Sequence, residues 1–144
     1  YIPAKIRKQG TQMTGPELNA ALEKIAAHFK KSPKKPVIVF HAAEPLLVKD
    51  ILFDSIKEFS DRFVFGIQTN ALLLEKSDVE FMKKYRVGVG ISLDAPDART
   101  NNLSRVSGKG TGNFEKAVKA LVEVTTDEEQ AQAYAFIARA LGCA

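Results

Sequence analysis

The chain has 144 residues, enough for one domain with its own hydrophobic core. Apolar residues make up 45% and charged residues 26%, the balance of an ordinary globular protein, and no apolar run approaches the length of a membrane span. The net charge is +4, but the clusters Lys5 to Lys8 and Lys30 to Lys35 have no interleaved aromatic residues, so they read as solvated ends rather than a nucleic-acid surface.

Thr14-Gly-Pro16-Glu17 reads as a helix start, with Pro in the first turn and an early acid. Leu18, Leu22, Ile25 and Phe29 recur at helical spacing and should face inward. Ser32-Pro-Lys-Lys-Pro36 stops that helix and leads into a short apolar strand, Val37 to Phe40. A second helix is expected from about Val48 to Phe59, with Leu52, Ile56 and Phe59 on one side. Phe63 to Ile67 follows as a strand and ends in Gln68-Thr-Asn70. Ser77-Asp78 should cap a third helix carrying Val79, Met82 and Tyr85. Val87 to Ile91 is the next strand and ends in Ser92-Leu-Asp94. Ala95 to Gly112 reads as a polar loop. Asn113 should cap a fourth helix with Phe114, Ala117, Val118 and Leu121 inward, and Thr126-Asp127 a last one through Leu141.

This alternation predicts an α/β fold with right-handed crossovers and parallel strands. The strands are apolar throughout, the pattern expected when both faces are covered. Three strands are too few to close a barrel, which leaves a small open sheet or part of a (β/α) barrel. Near Val122 to Thr126 two helices meet where a regular alternation would put another strand.

In a parallel sheet the strand ends Ala42-Ala-Glu44, Gln68-Thr-Asn70 and Ser92-Leu-Asp94 share one edge. Any one triplet reads as an ordinary turn or cap. Three in register read as a polar ligand site at the edge where α/β folds place their chemistry.

Other signals fail. Gly108-Lys-Gly-Thr111 is not a phosphate loop, because Leu103 stands where its first glycine would be and Gly110 follows the lysine. Gly88-Val-Gly90 lies inside a strand, and the third glycine of a dinucleotide fingerprint would fall at Leu93. His28 and His41 have no second His at ligand spacing and no Ser partner suggesting a triad. The single cysteine, Cys143, allows no intrachain disulfide and no Cys-based metal site within the chain, which fits a reducing, cytoplasmic setting.

The strand ends also resemble a known family. Phe40-His-Ala-Ala-Glu-Pro-Leu46 resembles the F-H-G-G-E-P-L segment of radical S-adenosylmethionine (radical SAM) enzymes. Ile67-Gln-Thr-Asn70 is similar to their I-Q-T-N strand end, and Ile91-Ser-Leu-Asp-Ala-Pro96 to their I-S-L-D-G-P segment. Arg105 and Gly108-Lys-Gly-Thr111 resemble the arginine and glycine segment that follows. Order and spacing agree over roughly Phe40 to Leu121, and the branch most resembled modifies peptides and proteins, sulfatase-maturating enzymes included.

The resemblance implies a partial, TIM-like (β/α) barrel, with residues 1–144 forming a single domain of it. It implies a [4Fe-4S] cluster and S-adenosylmethionine at the strands' C-terminal ends, a peptide or protein substrate and an external electron donor, without nucleic acid or membrane. Reductive cleavage of S-adenosylmethionine would give a 5′-deoxyadenosyl radical that abstracts substrate hydrogen. Ala42, Ala43, Glu44 and Pro45 would lie against the methionine end, Glu44 accepting from its ammonium. Thr69 and Asn70 would line the same edge, and Ser92 would bond the ribose or carboxylate end. Asp94 would support the site or face the substrate, and Arg105 would pair with the methionine carboxylate.

The departures are specific. The Cys-x-x-x-Cys-x-x-Cys loop that ligates the cluster is absent, and Cys143 cannot replace it. Tyr1-Ile-Pro-Ala fits the position just after that loop, so the sequence is expected to begin there, without its first strand. Both glycines of G-G-E-P are alanine, and Thr100 and Asn101 occupy a region where the family often has His. The chain alone is expected to be inactive. Two other readings compete: a cluster-less binding or scaffolding module, and a cofactor-free α/β hydrolase or isomerase using Glu44 and Asp94 as acid and base.

Overall fold

A computed structural model describes residues 12–41, 43–105 and 110–124. The expected last helix, the junction near Thr125, the lysines at 5 to 8, Ala42 and Cys143 lie outside the described residues.

Helix α1 spans Gly15–His28 and starts as its sequence requires. Glu17 N–H donates to Thr14 Oγ1 at 3.4 Å, and Thr14 N–H donates to Glu17 Oε2 at 2.8 Å. This reciprocal cap satisfies N–H groups that the first turn leaves unpaired. Leu22 is buried, with Leu18 and Ile25 packed around it. Phe29, expected inward, is exposed beyond the helix end and meets His28 edge-on.

Strand β1 (Val37–Phe40) leads through a single 3-10 turn, Pro45–Val48, into helix α2, Lys49–Phe59. Strand β2 covers Val64–Thr69, helix α3 Lys76–Lys84 and strand β3 Gly88–Ile91. Phe63 and Val87 precede their strands, buried in the core. The cap of α3 falls earlier than Ser77: Asp78, inside the first turn, accepts from Glu75 N–H at 3.0 Å. The loop expected from Ala95 to Gly112 contains helix α4, Ala98–Ser104, because the Asp97 carboxylate accepts from Thr100 N–H at 2.9 Å. Helix α5 covers Phe114–Val124 and buries Ala117, Ala120, Leu121 and Val124.

The strands pair in parallel in the order β1-β2-β3, an unclosed sheet with Phe40 opposite Ile67 and Thr69 opposite Ile91. Helices cover one face. Ile38, Phe40, Phe65, Ile67 and Val89 join Leu22, Ile56, Phe59 and Met82 in the main core. Phe53 stacks on Phe81 with ring centres 4.0 Å apart, joining α2 to α3. Each fully buried side chain of this size contributes about 1.5–3 kcal/mol.

The expectation that both sheet faces are covered is corrected. Val37 and Val39 are 64% and 57% exposed, and Val64, beside them on the same face, is exposed as well. Gly66, Gly88 and Gly90 continue this face. Among the described residues no helix lies over it. In a (β/α) barrel this face is the interior, covered by other strands rather than by helices, so apolar residues on both faces do not require helices on both.

Candidate functional site

The C-terminal strand ends meet on one edge, and Glu44 ties the first two together. It caps the 3-10 turn by accepting from Leu46 N–H at 3.1 Å. The same oxygen accepts from Thr69 Oγ1 at 2.8 Å, and the other from Asn70 N–H at 2.9 Å. Three donors therefore hold a carboxylate that offers about four acceptor positions. The acid at the end of β1 builds the floor of the edge and keeps little capacity for a further donor.

Pro45 is buried and opens the turn. Ala43 is exposed with φ of 50°, in the left-handed region that glycine favours. An L-residue there costs about 1–2 kcal/mol, which gives a physical reason for glycine at this position in the pattern the segment resembles. Thr69 is buried, and its hydroxyl also accepts from Ala71 N–H at 3.0 Å. Asn70 Oδ1 accepts from Leu72 N–H at 2.9 Å and closes the turn after β2.

Ser92 continues β3, its N–H donating to Thr69 O at 2.9 Å. Its hydroxyl accepts from Gln68 Nε2 at 3.1 Å across the open sheet face. Gly90 makes that bond possible: a Cβ there would run into the Gln68 amide and push it off Ser92.

Asp94 and Arg105 are brought together by α4. Arg105 Nη2 lies 2.6 Å from Asp94 Oδ1, and Ser104 Oγ donates to Asp94 Oδ2 at 2.8 Å. Partial burial pushes the Asp94 carboxyl up, but the bonds from Ser104 and Arg105 and the guanidinium charge outweigh it and hold the group below the usual aspartate value. Arg105 Nε is buried and has no partner among the described residues.

A set of asparagines that the residue pattern does not mark as a site underlies this edge. Asn101 is fully buried and accepts from Asp94 N–H at 2.9 Å. It donates to Asn113 Oδ1 at 2.9 Å, and Asn113 Nδ2 donates to Asn70 O at 2.9 Å. Asn113 was expected to cap α5, yet it is Asn102 whose side chain accepts from Phe114 N–H, at 3.2 Å. A Cβ on Gly112 would collide with Asn102, so glycine is needed for this arrangement. No periodicity distinguishes a buried asparagine from a loop asparagine; the nearest signal is the pair Asn101 and Asn102 in the polar stretch that follows a site strand.

Of the expected site residues, the structure thus gathers Glu44, Pro45, Thr69, Asn70, Ser92, Asp94 and Arg105 on one edge through direct bonds and chain continuity. Ala43 adjoins it, and Ala42 lies outside the described residues.

A family model, the radical SAM superfamily, matches residues 9–127. The chain belongs to the radical SAM superfamily. It is 41% identical over 121 residues to an uncharacterized protein of Archaeoglobus fulgidus, covering 84% of this chain and 27% of that protein. Among solved structures it resembles anSMEcpe, an anaerobic sulfatase-maturating enzyme, with AdoMet bound: TM-score 0.59, 23% identity, over 73% of this chain and 31% of the other. The same enzyme with AdoMet and the Cp18Cys peptide matches equally well. The chain therefore spans about a quarter to a third of the length of these proteins, and the shared fold is the partial radical SAM barrel.

The strand-end edge fits S-adenosylmethionine on its own chemistry. It presents a buried guanidinium nitrogen without a partner among the described residues, beside a sheet face that carries Gly66, Gly88 and Gly90. The cluster is different. Among the described residues no group of three His, Cys, Asp or Glu is placed to hold a metal, and the sequence supplies one cysteine where three thiolates are required.

Proposed function

We propose that this chain is a single radical SAM domain, the core of an enzyme that cleaves S-adenosylmethionine reductively at a [4Fe-4S] cluster to modify a peptide or protein. The supporting observation is the convergence of Glu44, Thr69, Asn70, Ser92, Asp94 and Arg105 on one edge of a parallel sheet with the superfamily's fold. Peptide-bound neighbours favour a peptide substrate.

When bound, the cofactors supply hydrogen-atom abstraction. No step at the cluster is assigned to this chain, whose residues hold S-adenosylmethionine. Arg105 offers its fork to the methionine carboxylate, with Asp94 keeping the guanidinium in place. Carbonyls beside Glu44 would accept from the ammonium, and Glu44, already bound by three donors, would hold the turn that carries them. Ser92, steadied by Gln68, bonds the ribose or carboxylate end. An external electron donor and a reducing cytoplasm complete the reading, and the chain by itself is inactive.

A cofactor-free hydrolase or isomerase is disfavoured, because Glu44 is bound by three donors and Asp94 by Arg105 and Ser104. The test uses the protein at its full natural length, reconstituted anaerobically with iron and sulfide. Dithionite and S-adenosylmethionine should yield 5′-deoxyadenosine. A protein that binds no iron and forms none would overturn the proposal in favour of a binding or scaffolding module.

A further inference from the structure

Among the described residues, Asn101 and Asn113 are buried polar side chains that connect the ends of β2 and β3. Asn101 is 0% and Asn113 2% exposed, and both are hydrogen-bonded to each other and to site backbone. Burying an amide is costly unless it is bonded, so these side chains are held in one geometry. Their bonds form a continuous path. It runs from Glu44 to Asn70 N–H, from Asn70 O to Asn113, from Asn113 to Asn101, and from Asn101 to Asp94 N–H. Asp94 then holds Arg105. Asn101 also grips the other end of this segment, its backbone oxygen accepting from Arg105 N–H at 3.0 Å. Asn102 anchors the path to the start of α5, in the space left by Gly112.

We propose that Asn101 and Asn113 are positioning residues that set Asp94 and Arg105, from the β3 side, against Asn70 and Glu44, from the β2 and β1 side, for binding the amino-acid end of S-adenosylmethionine. Neither side chain need touch the ligand. Each acts through backbone groups of residues that line the edge. The inference rests on the proposed function, and its effect should be confined to the methionine half of the ligand.

Two ligands separate that effect from general loosening. S-adenosylmethionine carries the amino-acid end, and 5′-methylthioadenosine lacks it. In the reconstituted full-length protein, Asn101→Ser and Asn113→Ser should each weaken S-adenosylmethionine binding about tenfold, the equivalent of one lost buried hydrogen bond. Binding of 5′-methylthioadenosine should change less than about twofold. Isothermal titration reads both. Equal losses for the two ligands, or no loss, would overturn the positioning role while leaving the functional reading intact. A wild-type protein that binds neither ligand would instead overturn the functional reading and this inference with it. Should a variant fail to fold, hydrogen exchange in the wild type decides. S-adenosylmethionine should slow exchange in the peptide containing the Asp94 amide, and unchanged exchange there overturns the proposal.

Discussion

At the scale of single residues, Asp94 shows how a strand-end acid becomes part of a site. Its main-chain N–H is held by Asn101 and its carboxylate by Ser104 and Arg105, with Arg105 Nη2 2.6 Å away. The folded carboxyl therefore titrates below its ordinary value of 3.8. A depressed acid contributes stability that is present above the unfolded value and lost as pH falls through the folded one. Chemical denaturation from pH 6 down to pH 3 should show wild type more stable than Asp94→Asn by a constant margin at the upper end. The margin should shrink as pH falls below 3.8. A margin independent of pH would mean that Asp94 gains nothing from its charge. Asp94 was legible in the sequence as an acid at a strand end. Its partner was not, because Arg105 lies eleven positions on and reaches it only when α4 folds back.

At the scale of elements, the end of α3 carries a mismatch that can be measured. Arg86 N–H donates to Lys83 O at 3.2 Å and Val87 N–H to Met82 O at 2.8 Å, closing the helix in a Schellman motif. Arg86 sits at the left-handed position of that motif with φ of 53°, where glycine carries no steric penalty. Arg86→Gly should raise stability by about 0.5–1 kcal/mol in urea denaturation. A loss of stability would show that the arginine side chain contributes more than its backbone strain costs. The helices and strands themselves were readable from apolar spacing and caps: α1 starts at Thr14 and Glu17 as the sequence predicts. The short helix Ala98–Ser104 was not, since a seven-residue polar helix has no apolar stripe and is held by Asp97 and by the bond from Asn101 to the distant Asn113.

At the scale of the whole molecule, the sheet has two unlike faces. Ile56, on the helix-covered side, is fully buried, while Val39 on the other face is 57% exposed. In this chain Ile56→Ala should therefore cost about 2–5 kcal/mol, and Val39→Ala under about 1 kcal/mol, by thermal or urea melts. Similar costs would mean that the second face is packed as well. The sequence by itself determined the α/β alternation, the parallel strands and the alignment of three polar strand ends, because these depend on local spacing and on the handedness of crossovers. It also carried the resemblance to the radical SAM superfamily that the family match bears out. Only the tertiary structure decided that Glu44 is a structural clamp, that Arg105 pairs with Asp94, and that buried asparagines join the strand ends. The physical reason is common to all three. A polar side chain declares its role through the partner that satisfies it, and here the partners lie up to 43 positions apart in the chain.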